Sequence, residues 1–255
     1  MNNVLLEARN MDVDIGARQL CKELDITVRA GECWGVLGAN GCGKTTLLHT
    51  LAGLRPHDAG EILLTRQPID TMGRRNVARL LGLLLQDSFD AFPATVMESA
   101  LCGRHPYLGN WQQESPEDRI LAERAIQKLA LSGLEMRQVD TLSGGERRRL
   151  AIATLLTQDP EVMLLDEPTN HLDLKHQVEV LQLLRDMSRK GKAVVMVLHD
   201  INQAAHYCDR LLMIFNNGEW EAGESDKLLT EKRLSRLYGT PIKQFRGPDR
   251  VYFFT

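Results

Sequence analysis

An α/β fold built around a mainly parallel sheet is what this 255-residue sequence predicts, on three observations. The apolar run Trp34-Gly-Val-Leu37 ends in a glycine-rich turn, and Leu47, Leu48, Leu51 and Leu54 then follow at helical spacing. Two more apolar runs, 162–165 and 193–198, flank a helical stretch near 174–189, which is the spacing of a crossover between parallel strands. Between these halves, from about 88 to 158, Pro93, Pro106 and Pro116 punctuate a stretch of helical character that reads as an insertion.

Residues 4–9 and 24–29 alternate or carry β-branched residues and read as short strands. The helix from Lys44 is expected to run to Leu54, where Pro56 and Asp58-Ala-Gly60 stop it. Residues 61–65 read as a strand, and 80–85 as a buried one. Helices are expected over 95–102, 116–129 and 146–157. Residues 211–215 followed by Asn216-Asn-Gly218 read as a strand entering a hairpin turn. The tail 244–255 alternates weakly and could add an edge strand or bind nothing in particular. The expected division is an α/β core over 1–87 and 159–231, a helical subdomain over 88–158 and a tail over 232–255.

Thirty-one Lys and Arg stand against 34 Asp and Glu, a net charge of −3, so no overall basic field marks a nucleic-acid binder. The apolar content of 43% argues against disorder. The longest apolar stretches are six residues, whereas a spanning helix needs roughly 20. The first residues, MNNVLLEARN, lack the pattern of a secretory signal. Five cysteines, widely spaced and without a CxxC, point to reduced thiols in cytosol, and any membrane role is expected to come through a partner chain.

Gly38-Ala-Asn-Gly-Cys-Gly-Lys-Thr45 fits G-x-x-x-x-G-K-[ST] between a strand and a helix, the context that gives the motif its meaning. Gly38, Gly41 and Gly43 let successive backbone N–H groups turn inward, and the helix N-terminus adds partial positive charge. Lys44 supplies a full charge for the β- and γ-phosphates, and the Thr45 hydroxyl is placed to ligate Mg²⁺. Asn40, Cys42 and Thr46 complete the expected nucleotide-binding set of this loop. Val162-Met-Leu-Leu-Asp166-Glu167 ends an apolar strand in two acids, which packing alone disfavours. Beside a phosphate site, Asp166 can hold the metal and Glu167 can polarise the attacking water. Leu142-Ser-Gly-Gly-Glu146 opens a helix; Ser143 and Glu146 satisfy a capping box, which helix initiation alone could explain, while two adjacent glycines also suit an approaching anion.

Together these residues resemble the ATP-binding subunit of ABC transporters. GANGCGKT is similar to the Walker A, LSGGE to the signature, and VMLLDE to the Walker B with its catalytic glutamate. Gln86 resembles the Q-loop glutamine, Asn170-His-Leu-Asp173 the D-loop and His199 the switch histidine. The resemblance implies a P-loop core, an antiparallel β-subdomain and a helical insertion carrying the signature. It implies a head-to-tail homodimer in which ATP lies between Lys44 of one copy and Ser143, Gly144 and Gly145 of the other. Gln86 would sense metal and water, and His199 would contact the γ-phosphate.

Gly103-Arg-His-Pro-Tyr-Leu-Gly-Asn-Trp111 resembles the segment after the Q-loop in ATPases of iron–siderophore, haem and cobalamin importers, and Leu234 to Pro241 resembles their tail. Such an ATPase would sit on the cytoplasmic face of the membrane on a separate permease, indirectly serving a substrate-binding protein. Phe89, Phe92 and Tyr107 are candidate apolar contacts for a permease helix. The alternative is a non-transport ABC ATPase of a soluble assembly such as an iron–sulfur scaffold. Two local features carry expectations of their own. Ile15 stands where the family usually has an aromatic residue against adenine, so base discrimination should be weak. Cys42, beside Lys44 at a helix N-terminus, is either a reactive thiol whose alkylation blocks the site or a small filler.

Overall fold

The computed structural model describes residues 3–16, 18–86, 93–109, 111–248 and 250–255. Its centre is a six-stranded sheet in the order β10-β9-β3-β8-β7-β6. These strands are β3 (Cys33–Gly38), β6 (Leu81–Leu84), β7 (Val162–Asp166), β8 (Ala193–Val197), β9 (Arg210–Ile214) and β10 (Trp220–Glu224). All neighbours are parallel except β10, which returns antiparallel to β9 through the Asn216-Asn-Gly218 turn. Side chains alternate across a strand, so each strand feeds two cores. Met163, Leu165, Val194 and Met196 join one cluster, while Val162, Leu164, Val195 and Val197 join the other. Burial on both faces is why these strands read as continuous apolar runs rather than as alternations.

A second sheet, β2-β1-β4-β5, lies over the second cluster and is antiparallel throughout. It consists of β1 (Val4–Ile15), β2 (Arg18–Arg29), β4 (Ala59–Leu64) and the two-residue β5 (Gln67–Pro68). β1 and β2 are twice as long as their alternation suggests. Polar residues serve the backbone of their outer halves: Asp12 Oδ1 on β1 accepts from Glu23 N at 2.6 Å, and Asp58 Oδ2, just before β4, accepts from Asp14 N at 2.7 Å. The register shifts at Asn10 and Glu23, both left-handed, break the period that reveals a strand.

α1 (Lys44–Leu51) ends earlier than expected, because Gly53 turns left-handed and the N–H groups of Leu54 and Arg55 fold back onto His49 O. A short helix not expected from the sequence, α2 (Arg74–Leu80), leads into β6. The insertion holds α3 (Val96–Leu101), a 3₁₀ turn over Cys102–Tyr107, α4 (Pro116–Lys128) and α5 (Gly144–Gln158). Each of the three α-helices starts with a capping box, on Thr95, Ser115 and Ser143. α6 (Leu174–Arg189) joins β7 to β8, and α7 (Ile201–Tyr207) follows β8.

After α8 (Ser225–Leu228) and α9 (Glu231–Tyr238), the tail does not extend the central sheet. It pairs with itself, β11 (Lys243–Arg246) with β12 (Val251–Phe254). Phe253 is buried, and both its backbone groups bond the Asn202 amide on α7.

The insertion is fastened at Gly103. A Cβ there would collide with Thr154 O and stand 2.8 Å from Gln158 N, both on the backbone of α5. Gly103→Ala should therefore cost about 1–3 kcal/mol through forced displacement of α5. The urea midpoint measures this.

Candidate functional site

Parallel pairing brings the C-terminal ends of four strands to one edge. Leu84 pairs with Leu165, Asp166 with Val197, and Val36 with Val197. The residues that follow these ends therefore emerge side by side: Gln86 after β6, Glu167 after β7, His199 after β8 and the phosphate loop after β3. Crevices at the carboxyl ends of such strands are where ligands bind in open α/β sheets.

The phosphate loop is shaped by its glycines. Gly41 and Gly43 have φ of 72° and 107°, which a side chain strongly disfavours. A Cβ at Gly43 would stand 2.5 Å from Leu20 and 2.9 Å from Ile15, and one at Gly38 would stand 2.8 Å from Ile214 O. Lys44 is buried, and its Nζ donates to Gly38 O at 2.9 Å and Ala39 O at 3.0 Å. Asn40 and Gly41 are exposed on the rim, and Thr45 and Thr46 are half-buried in the first turn of α1. The Cys42 thiol is buried behind the loop, against Gly38. That burial favours the filler reading over the reactive one.

Asp166 is 1% exposed and neither carboxylate oxygen has a hydrogen-bond partner among the described residues. Burial raises its pKa, and the Glu167 charge adds to that. Thr45, Arg148 and His49 pull the other way. Thr45 faces Asp166 closely enough to act on it, yet outside good hydrogen-bond geometry. Glu167 sits in the left-handed region at φ 50°, which turns its carboxylate to the edge. Three side chains hold it there. His199 Nε2 is 2.5 Å from Oε1, Asn170 Nδ2 donates to Oε2 at 3.0 Å, and Gln86 Nε2 reaches Oε2 at 3.5 Å.

Ser143 caps α5, accepting from Glu146 N at 3.2 Å while Glu146 Oε2 accepts from Ser143 N at 2.8 Å. These hydrogen bonds hold Glu146 below the usual carboxylate range. Gly144 and Gly145 follow, and with Ser143, His171, Asp173 and His176 they line a 490 Å³ concavity that no residue of the phosphate loop joins. The two glycine needs differ. A Cβ at Gly145 would press to 3.1 Å on His171 O, whereas one at Gly144 would meet only ordinary contact at 3.7 Å. Another cavity, of 930 Å³, lies elsewhere, between α6, α7 and the tail hairpin.

One residue of this site escapes the sequence reading. Arg148, 4% exposed on α5, donates to Leu85 O at 2.5 Å, Gln86 O at 3.1 Å, Glu167 O at 2.8 Å and Asp166 O. It hides in a run of three arginines, where a solvated face is the ordinary expectation. The signal was its place at i relative to the buried Ile152 and Leu155 at i+4 and i+7.

Tyr107 is half-buried and tied to its own chain. Its hydroxyl donates to Gln158 O at 3.0 Å and its ring lies 3.9 Å from the Arg104 guanidinium. Arg104 in turn pairs with Asp118 at 2.7 Å. Phe89 and Phe92 lie outside the described residues.

This edge chemistry on this sheet is that of a P-loop ATP hydrolase. The family model described as ABC transporter matches residues 21–170, and the chain belongs to that family as an ATP-binding subunit. It is 37% identical to the achromobactin transport ATP-binding protein CbrD of Dickeya dadantii over 244 residues, 95% of this chain and 91% of that one. It is 34% identical to the ferric enterobactin transport ATP-binding protein FepC of Escherichia coli K12, across 92% of this chain and 87% of that one. Among solved structures it resembles an ABC transporter assigned to the metal-chelate type, caught inward-facing. There the TM-score is 0.85 and identity 28%, over 98% of this chain and 96% of that one. A bacterial ABC transporter cassette solved as a dimer matches with TM-score 0.76 and 26% identity, over 87% of this chain and 99% of that one.

Removing the buried charge should reveal its cost. Because the folded-state pKa of Asp166 is raised, its charge destabilises the fold above that pKa and costs nothing below the ordinary carboxyl range. Asp166→Asn should raise the melting temperature at neutral pH without divalent cation. The gain should shrink as pH falls through the raised pKa of Asp166, followed by calorimetry across pH.

Proposed function

We propose that this chain powers the import of an iron chelate, a ferric siderophore or haem, through a separate membrane permease, and that Glu167 is the base of its ATPase. The observation that carries the mechanism is the Glu167 carboxylate gripped by His199, Asn170 and Gln86 beside the phosphate loop. Siderophore-transport and hemin-import names among its relatives support the cargo class. They favour import over the soluble assembly alternative.

In this reading, the N–H groups of the loop and Lys44 bind the β- and γ-phosphates. Glu167 orients the attacking water and accepts its proton. His199 Nε2 holds Glu167 and reaches the γ-phosphate, and Gln86 links the site to the insertion. Asp166, Thr45 and Gln86 offer hard oxygen donors, and the two unpartnered buried oxygens of Asp166 fit a divalent cation. Mg²⁺ held there would neutralise charge on the transferring phosphoryl group.

A second copy completes the site head to tail, presenting Ser143, Gly144 and Gly145. Two features support this: the separate signature concavity, and a Gly144 whose bareness nothing among the described residues requires. The division into a core over 1–87 and 159–231, a signature subdomain over 88–158 and a tail stands as part of this proposal. So do a cytoplasmic-face location on the permease and a substrate-binding protein upstream. Trp111 is wholly exposed and Leu85 partly so, which makes them the better candidates for permease contact.

Glu167→Gln should lower ATP turnover at least 100-fold while leaving an ATP-bound dimer on a sizing column. Lys44→Ala should weaken ATP binding itself. GTP should be hydrolysed within severalfold of ATP, and a large preference for ATP would refute the role given to Ile15. Affinity purification from detergent-solubilised cells should recover a polytopic membrane protein. Recovery of soluble partners alone would instead make the assembly reading the better one.

A further inference from the structure

The tip of the β1–β2 hairpin reaches the phosphate loop with two side chains. Ile15 and Arg18 are direct cross-strand partners, so their side chains leave the same face of the hairpin. Ile15 Cδ1 packs on Gly43. Arg18 Nη1 donates to Gly41 O at 3.2 Å, and Nη2 donates to Asn216 O at 3.2 Å and Asn216 Oδ1 at 3.0 Å. Every one of these acceptors is a neutral carbonyl, so the positive charge is not cancelled. Guanidinium donors lie in the plane of the group. Bonds to the loop on one side and the β9–β10 turn on the other therefore fix that plane edge-on, while its flat faces bear no donors. The residue is exposed.

We propose that Arg18 is the base-facing residue of this nucleotide site, in the role an aromatic ring would otherwise fill. The inference rests on the reading of the loop as a nucleotide site. Phosphates held at Gly41 to Thr45 leave the ribose and base to extend past the rim that Ile15 and Arg18 form. There the base stacks on the guanidinium plane with the Ile15 side chain beside it. Every base has a π face, so stacking of this kind selects a nucleotide over a bare polyphosphate and barely separates adenine from guanine. It makes no edge contact that reads the base.

The test compares affinities of the full chain for ATP, GTP and tripolyphosphate in the wild type, Arg18→Lys and Arg18→Ala. Arg18→Lys keeps the charge and a donor but loses the plane. It should weaken ATP and GTP binding about three- to fivefold and leave tripolyphosphate within about twofold. Adding Ile15→Tyr to Arg18→Lys should recover ATP affinity by restoring a ring. Full ATP affinity in both Arg18 variants would overturn the inference, as would equal weakening of ATP and tripolyphosphate. The latter would mean that Arg18 acts on phosphate or on the shape of the loop. A wild-type chain that binds neither ATP nor tripolyphosphate would overturn the nucleotide reading itself, and this inference with it.

Discussion

Arg148 joins three parts of the molecule that have to agree. Strands β6 and β7 end where their carbonyls run out of partners, and a buried carbonyl left unpaired is costly. The guanidinium of Arg148 meets Leu85, Gln86, Asp166 and Glu167 at once. A buried arginine is itself costly unless its donors are satisfied, so each side of this arrangement needs the other. The same helix carries Ser143, Gly144 and Gly145 at its N-terminus. The end of the signature helix, the glutamine after β6 and the acid after β7 are thereby fixed to one rigid group. Tightly packed interiors pass displacement on rather than absorb it. The N-terminal end of α5 is thereby tied through Arg148 to the Glu167 backbone, one residue past the strand.

Around that group, the charges are set against each other. Asp166 is sealed in with unpaired oxygens, a costly state that favours arrival of a cation. Glu167 is instead surrounded by donors, and its contact with His199 is half-open to solvent on the histidine side. Neighbouring carboxylates in such unlike surroundings can take unlike tasks. In the proposed mechanism one holds the cation and the other handles the proton. Lys44 meanwhile rests on carbonyls of its own loop.

The sequence made the strand ends legible because chemistry there demands fixed types at fixed spacing. Glycine, lysine and threonine after β3 and two acids after β7 have few competing explanations. Buried strands were legible for the same reason that they are buried on both faces. What stayed hidden depends on partners far away in the chain. The outer half of β1 looks polar in part because Asp12 bonds the backbone of β2, at Glu23 N. The hold of Gln158 O and Arg104 on Tyr107 is likewise set by distant residues. The tail stayed open between an edge strand and no assigned role, because alternation fixes a strand but not its neighbour, and Asn202 decides where Phe253 goes.

Glycines sort by what explains them. Gly43 is required by its φ and by Leu20, Gly38 by Ile214 O and Gly103 by the backbone of α5. Each is accounted for inside one chain. Gly144 has an ordinary helical position, and a Cβ there would meet nothing nearer than 3.7 Å. A capping box needs only Ser143 and Glu146. Among the described residues, then, nothing asks for a glycine at this first position of the helix. In the proposed head-to-tail assembly, the neighbour at this point approaches the backbone closely and carries charge opposite to a helix N-terminus. A phosphate presented by a second copy meets both conditions, and the concavity at the signature, formed without the phosphate loop, leaves it room to arrive.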